Sequence, residues 1–142
     1  MPARLVKGKE LVMLKKAWRL IFGVGHLPIY LKGEEVLTFR IHRPGSNDFQ
    51  KNQIIEGHFM EGIMLLLEVV DEPVVKRFSD ITHKECKEWA RLTHDDMTHA
   101  GMMRIMREYH SDLTHDTVAV IIRLRLVHVD GRPIAGALPE GL

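Results

Sequence analysis

Thr38 and Arg40 stand two residues apart in the run Val36-Leu37-Thr38-Phe39-Arg40-Ile41. Alternate side chains of a pleated strand share a face, so a hydroxyl and a guanidinium project together. The guanidinium is a planar fork of N–H donors that suits phosphate or a base edge, and a hydroxyl beside it can exchange hydrogen bonds with the same ligand. His42 continues that face, while Phe39, Ile41 and Arg43 take the other. The alternation predicts a half-buried barrel strand with a solvated polar side. His42, and Tyr30 upstream, are the aromatic rings placed to stack on a single-stranded base.

Charge is distributed unevenly around this strand. The net charge of +1 divides into +6 up to Lys51 and −5 beyond it. Lys7, Lys9, Lys15, Lys16 and Arg19 precede the motif, and Arg40, Arg43 and Lys51 belong to it or follow it. A cationic surface formed from these residues would suit a phosphate backbone and weaken with salt.

The elements that must position the motif are legible from punctuation and periodicity. Lys9 to Arg19 favours a helical turn or two, Leu20 to Phe22 a first strand, and Ile29 to Leu31 a short helix stopped by Gly33. Arg43 to Asp48 combines proline, glycine and Asx chemistry in one loop. Gln53 to Phe59 reads as a strand bent at Gly57, and Ile63 to Val70 as a strand buried on both faces. Asp71 to Pro73 turns the chain before a strand containing Val74, Val75 and Phe78. Ser79, Asp80 and Thr82 are candidate caps for a helix through Cys86 and Trp89, and Thr98 for one whose core side carries Met102, Ile105, Met106 and Tyr109. Thr117 to Val129 alternates most clearly of all, and a turn is expected at Asp130-Gly131.

Length and composition narrow the function classes. The chain has 142 residues, 45% of them hydrophobic, enough for one domain with its own core. Its longest apolar run, near Ile63 to Val70, is far too short to span a bilayer, and the single cysteine, Cys86, excludes an internal disulfide. A cytoplasmic protein with no membrane partner is expected. Nine histidines invite a metal, but His83 with Cys86, and His94, Asp95 and His99, match no strong ligand spacing. No metal and no cofactor are expected. A phosphate-cradling glycine motif is also lacking.

Taken in succession over roughly Leu20 to Val129, these motifs resemble the ASCH domains of the PUA-like superfamily, small β-barrels associated with RNA and nucleotide chemistry. In that family a short helix ends in glycine, with lysine two residues on, then threonine or glutamate, then arginine. Gly33, Glu35, Thr38 and Arg40 hold the matching positions. Phe78-Ser79-Asp80-Ile81-Thr82 before a helix, then Met97 to Tyr109 and Val118 to Val127, follow in the family's order. The resemblance implies an α+β fold, a small mixed PUA-like β-barrel with inserted helices. It divides the chain into a basic N-terminal extension (1–18), the ASCH/PUA-like domain (19–129) and a C-terminal tail (130–142).

The nearest chemistry in the family belongs to small bacterial amidohydrolases that deacetylate acetylated cytidine nucleosides with a lysine, a threonine and a glutamate. Thr38 matches the threonine and Asp95, or Asp96, falls near the glutamate, but Glu35 stands where the lysine would be. An anion there reverses the local field and cannot act as a desolvated amine, leaving Lys32 as the nearest replacement. The expectation is therefore an RNA- or nucleotide-binding protein with a polar cleft around Thr38 and Arg40. Lys32, Gly33, His42, Arg43 and Lys51 are further candidate contacts for single-stranded RNA or a modified nucleoside. The alternative is a hydrolase acting on acetylated cytidine nucleosides, with Thr38, Glu35 and Asp95 as catalytic candidates, or a ribonuclease using His42 as base.

Overall fold

The computed structural model describes residues 18–23, 25–90 and 97–133. Six strands, β1 (Arg19–Phe22), β2 (Val36–Ile41), β3 (Ile54–Phe59), β4 (Ile63–Val69), β5 (Val74–Arg77) and β6 (Val118–Pro133), form one sheet. Its order is β1-β3-β4-β6-β2, with β5 also paired to β6. The sheet curls into a half-barrel, and the class is mixed α+β. Helix α1 (Leu27–Leu31) joins β1 to β2, while α2 (His83–Ala90) and α3 (His99–Tyr109) lie between β5 and β6 in the chain. No helix among the described residues is long and apolar enough to cross a membrane.

Strand β6 organises the sheet. Antiparallel β2 pairs along one edge, from Val36 opposite Leu124 to Ile41 opposite Ala119. The other edge is shared: β4 pairs from Val69 opposite Leu124 onward, and β5 covers Val118 to Ile121. Asp71 to Pro73 separates these two partners, as the turn signal predicts, and proline has no N–H to continue a ladder. β6 itself runs to Pro133, which pairs with Ile63, so the turn expected at Asp130-Gly131 does not form. Register shifts between Ile63 and Leu65 and between Leu66 and Leu67 bend this end of the ladder, as bulges do.

Alternation along the strands builds two cores. Inside the curl, Val36, Leu65, Leu67, Val69, Val120, Ile122 and Leu124 meet Phe22, Tyr30 and Phe59. On the outer side, Leu37, Phe39, Ala119 and Ile121 pack with Phe78, Cys86 and the methionines of α3. Burial pushes the Cys86 thiol up to about 11. The solvated face expected of β2 is therefore absent: Val36 to Phe39 are all buried, because Val36 and Thr38 face the inside of the curl and the two later helices cover Leu37 and Phe39 on the other side. β4 departs in the other direction. Leu65, Leu67 and Val69 are buried but Met64, Leu66 and Glu68 only partly so, giving an alternating strand in place of one buried on both faces.

Local chemistry fixes the helices. Thr82 and Glu85 form a capping box before α2: the Glu85 amide donates to Thr82 Oγ1 at 3.1 Å and the Thr82 amide to Glu85 Oε1 at 2.8 Å. Ser79 and Asp80, the rival candidates, belong to a 3-10 turn with Phe78, which leaves the strand there. Thr98 caps α3 by accepting from the Gly101 amide at 3.0 Å, as expected. Met102 and Met106 are core residues, whereas Tyr109 lies exposed at the helix end.

Two glycines answer to geometry. Gly33, at φ 81°, ends the segment after α1 in a left-handed conformation that costs most other residues energy. Gly57 in β3 leaves no space for a side chain: an added Cβ would lie 2.8 Å from Leu67 Cδ1 and 3.2 Å from Phe22 Cε2. Gly57→Ala should destabilise the protein by about 1–3 kcal/mol through overpacking, read as a lower urea midpoint at unchanged slope.

Candidate functional site

Thr38 and Arg40 point into the curl of the sheet, and the structure brings them together. Arg40 Nε donates to Thr38 Oγ1 at 3.3 Å, and Nη1 donates to the carbonyl oxygen of Ile21 at 2.9 Å. β1 and β2 are the two ends of the strand order, so this second bond links the open margins of the half-barrel. The guanidinium carbon sits 4.6 Å from the centroid of the Phe22 ring, a cation–π contact. The other side of Phe22 is taken by Phe59, stacked at 4.6 Å and 8°.

Arg40 is half-buried, and no carboxylate of the described residues lies within ion-pair distance of it. Burial pulls its pKa below the ordinary arginine value, with Tyr30 partly opposing the shift. A guanidinium nonetheless stays charged at any physiological pH. Only two of its N–H donors are spent, on Thr38 and Ile21, and the remainder of the fork has no partner among the described residues.

Tyr30 closes the inner end of the site. Its ring packs against Phe22 at 4.8 Å and edge-on against Phe59 at 5.5 Å. Burial raises the phenol far above its usual range, while the Arg40 charge and a hydrogen bond with Thr38 offset part of that rise. The ring is 2% exposed and so cannot serve as a stacking platform for a base. The Thr38 hydroxyl is held between Arg40 and Tyr30, without a carboxylate or amine to take its proton among the described residues.

The remaining candidates disperse. His42 Nε2 meets Asp48 Oδ1 at 2.6 Å, and Asp48 Oδ2 accepts from the Gly45 amide at 2.7 Å. The Gly45 bond, then the His42 bond, hold the Asp48 carboxyl below its usual range. Buried Asn47 completes this loop by accepting from the Arg43 amide and donating to the Ile41 carbonyl. His42 is thus a strut of the loop and not a ring open to a base. Arg43 is exposed. Lys51 is exposed too, with its amide 3.4 Å from Glu72 Oε1. Lys32 is exposed at the end of α1, just before Gly33.

Glu35 faces a different cluster. Arg123 Nη1 lies 3.7 Å from Glu35, Arg123 Nε lies 3.4 Å from Asp71, and Glu88 of α2 takes two bonds from the same guanidinium. The Glu88 hydrogen bond dominates in holding Arg123 above its ordinary pKa. This cluster ties α2 and the start of β2 to β6, and it accounts for an anion at the position where the resemblance implies lysine. Asp95, and most of the basic N-terminal extension, lie outside the described residues. No group of three or more His, Cys, Asp or Glu side chains arranged to hold a metal occurs among the described residues.

The structure adds two residues to the neighbourhood. His26, half-buried before α1, has its ring 6.2 Å from that of Phe22 and feels the charges of Arg40 and of Glu61 in the β3–β4 turn. Neither residue carries a motif, and only the curl of the sheet brings their turns to Arg40. The Gly-x-Gly-His segment after an apolar strand was the available signal for His26.

Raised burial of Tyr30 carries a pH signature. An unfolded phenol ionises near about pH 10, the folded one well above it, so its stabilising contribution is complete below that point and is lost as pH rises beyond it. Alkaline unfolding followed by circular dichroism should steepen above about pH 10, and Tyr30→Phe should flatten that fall. Comparison with known proteins adds nothing to this geometry: no family model, curated protein or solved structure matches the chain.

Proposed function

We propose that the chain is an ASCH-like, PUA-type module that binds a phosphate-bearing nucleotide, free or within single-stranded RNA, through Arg40 and Thr38. The observation that carries this reading is the Arg40 guanidinium: fixed on Phe22, held by the Ile21 carbonyl and Thr38, half-buried and without a carboxylate partner among the described residues. A charge held away from bulk water without a counter-ion gains most from an anionic ligand. Fixing two of its donors before binding reduces the ordering cost of presenting the others. Phosphate recognition by such a fork is charge-assisted and directional.

Hydrolysis has less support. A threonine nucleophile needs a base, and the Thr38 hydroxyl instead receives an N–H from a cation. Incubation with acetylated cytidine, followed by mass spectrometry, is expected to show no deacetylation. Turnover abolished by Thr38→Ala would reverse the ranking of the two readings.

Binding is tested by titrating fluorescently labelled single-stranded RNA and a nucleoside 5′-monophosphate at low and high salt. Affinity should fall with salt, and Arg40→Ala should weaken both ligands by about tenfold or more. Arg40→Lys keeps the charge and loses the fork, so an intermediate loss is expected from a variant that retains a cation on the Phe22 ring. Unchanged affinity in both folded variants would overturn the assignment.

A further inference from the structure

His26 is the residue near Arg40 with uncommitted chemistry. It occupies the cap position of α1 without capping it, and no hydrogen bond to its imidazole occurs among the described residues. Its ring and the Arg40 guanidinium both contact Phe22, at 6.2 and 4.6 Å from the ring centroid. One aromatic ring thus carries a permanent cation and a conditional one on its surroundings.

Among the described residues, the charged and titratable groups around the imidazole are few. Arg40 on β2 repels a proton on His26, Glu61 in the β3–β4 turn attracts one, and Tyr30 on α1 is neutral. Burial first, and Arg40 second, hold His26 below the ordinary histidine range, with Glu61 opposing.

We infer that His26 is a second, protonatable arm of the Arg40 site, so that a bound oxyanion and a proton on His26 reinforce each other. The inference rests on the anion-binding reading of Arg40. An anion on the guanidinium offsets the Arg40 part of what disfavours a proton on His26, burial remaining, so the imidazole takes up its proton at a higher pH than in the free site. The imidazolium in turn attracts the anion. Linkage requires the two effects to be equal in size. The site accordingly favours a compact, multiply charged oxyanion, such as the terminal phosphate of a monoester, over the single charge of an internal diester. The packing of the aromatic residues supports this choice: Phe22 is taken up by Phe59 and Arg40, Tyr30 is buried and the His42 side chain is only 16% exposed, leaving little open ring face for base stacking.

Inorganic sulfate is the probe, because it stays a dianion between pH 5.5 and 8 and its own titration does not enter. The wild-type protein is titrated with sulfate while the His26 ring protons are followed by nuclear magnetic resonance. Expected are a rise of the His26 midpoint at saturating sulfate and a sulfate affinity about three- to tenfold tighter at the acid end of the range. Both effects should vanish in Arg40→Gln, and His26→Gln should bind sulfate with a flat pH profile. Arg40-dependent binding that is equally tight at both pH values, with a His26 midpoint indifferent to sulfate, overturns the inference and leaves the function proposed for Arg40 standing. Failure to detect any Arg40-dependent binding of either sulfate or a nucleoside monophosphate overturns both.

Discussion

The guanidinium of Arg40, laid on Phe22 and bonded to the Ile21 carbonyl, links β2 to β1, the two ends of the strand order, which no backbone ladder joins among the described residues. A curled sheet that does not close has two terminal strands with unpaired polar groups, and here a side chain supplies what a ladder would otherwise provide. The arrangement needs an aromatic floor, since a charged group facing the apolar interior without one would meet only hydrocarbon. Phe22 supplies it, and Phe59 and Tyr30 hold Phe22 in place. A structural role for Arg40 is therefore compatible with the binding role proposed for it. The bond to Ile21 that spans the margin, together with the one to Thr38 within β2, aims the rest of the fork.

The two cores explain why this strand can carry a polar pair at all. Leu37 and Phe39 anchor β2 to the helix layer, where Trp89 stacks on Phe39 at 5.2 Å, and Val36 anchors it within the curl. Burial on both sides sets apolar area, worth roughly 25 cal/mol per Å², against the cost of burying a threonine and half-burying an arginine. The Arg123 cluster acts on the outer side in the same sense, fastening α2 across the strand that carries the pair.

Much of the fold can be read from the chain because local rules and the observed structure agree. The two-residue period places Thr38 and Arg40 on one side, Gly33 stops the segment before them, and the Asx-rich loop forms where Pro44, Gly45 and Asn47 coincide. Strand β6 forms where the alternation predicts it, although Ala119 to Ile122 are buried on both faces and Val127 to Val129 are exposed. What is not legible depends on residues distant in sequence. Whether the polar side of β2 meets solvent or the barrel interior turns on how the strands distant in sequence curl around it, and β6 continues past Gly131 because β4 offers it a partner. Tyr30 reads as a surface ring until the curl encloses it, and His42 as a ligand until Asp48 is seen beside it. Glu61 carries no pattern of its own, His26 only the Gly-x-Gly-His segment, and both enter the neighbourhood through tertiary placement.

The placement of β6 also governs how the chain acquires its shape. Its partners β2, β4 and β5 all precede it, and Val36 waits for Leu124 before either is paired. Until the last strand emerges from the ribosome, the earlier segments hold only the β1–β3–β4 pairings and short helices, with apolar edges unprotected. High contact order of this kind makes for slow, cooperative folding. The nascent chain thus leaves these edges unpaired until β6 is made, an interval that stabilising changes confined to the finished fold do not reach.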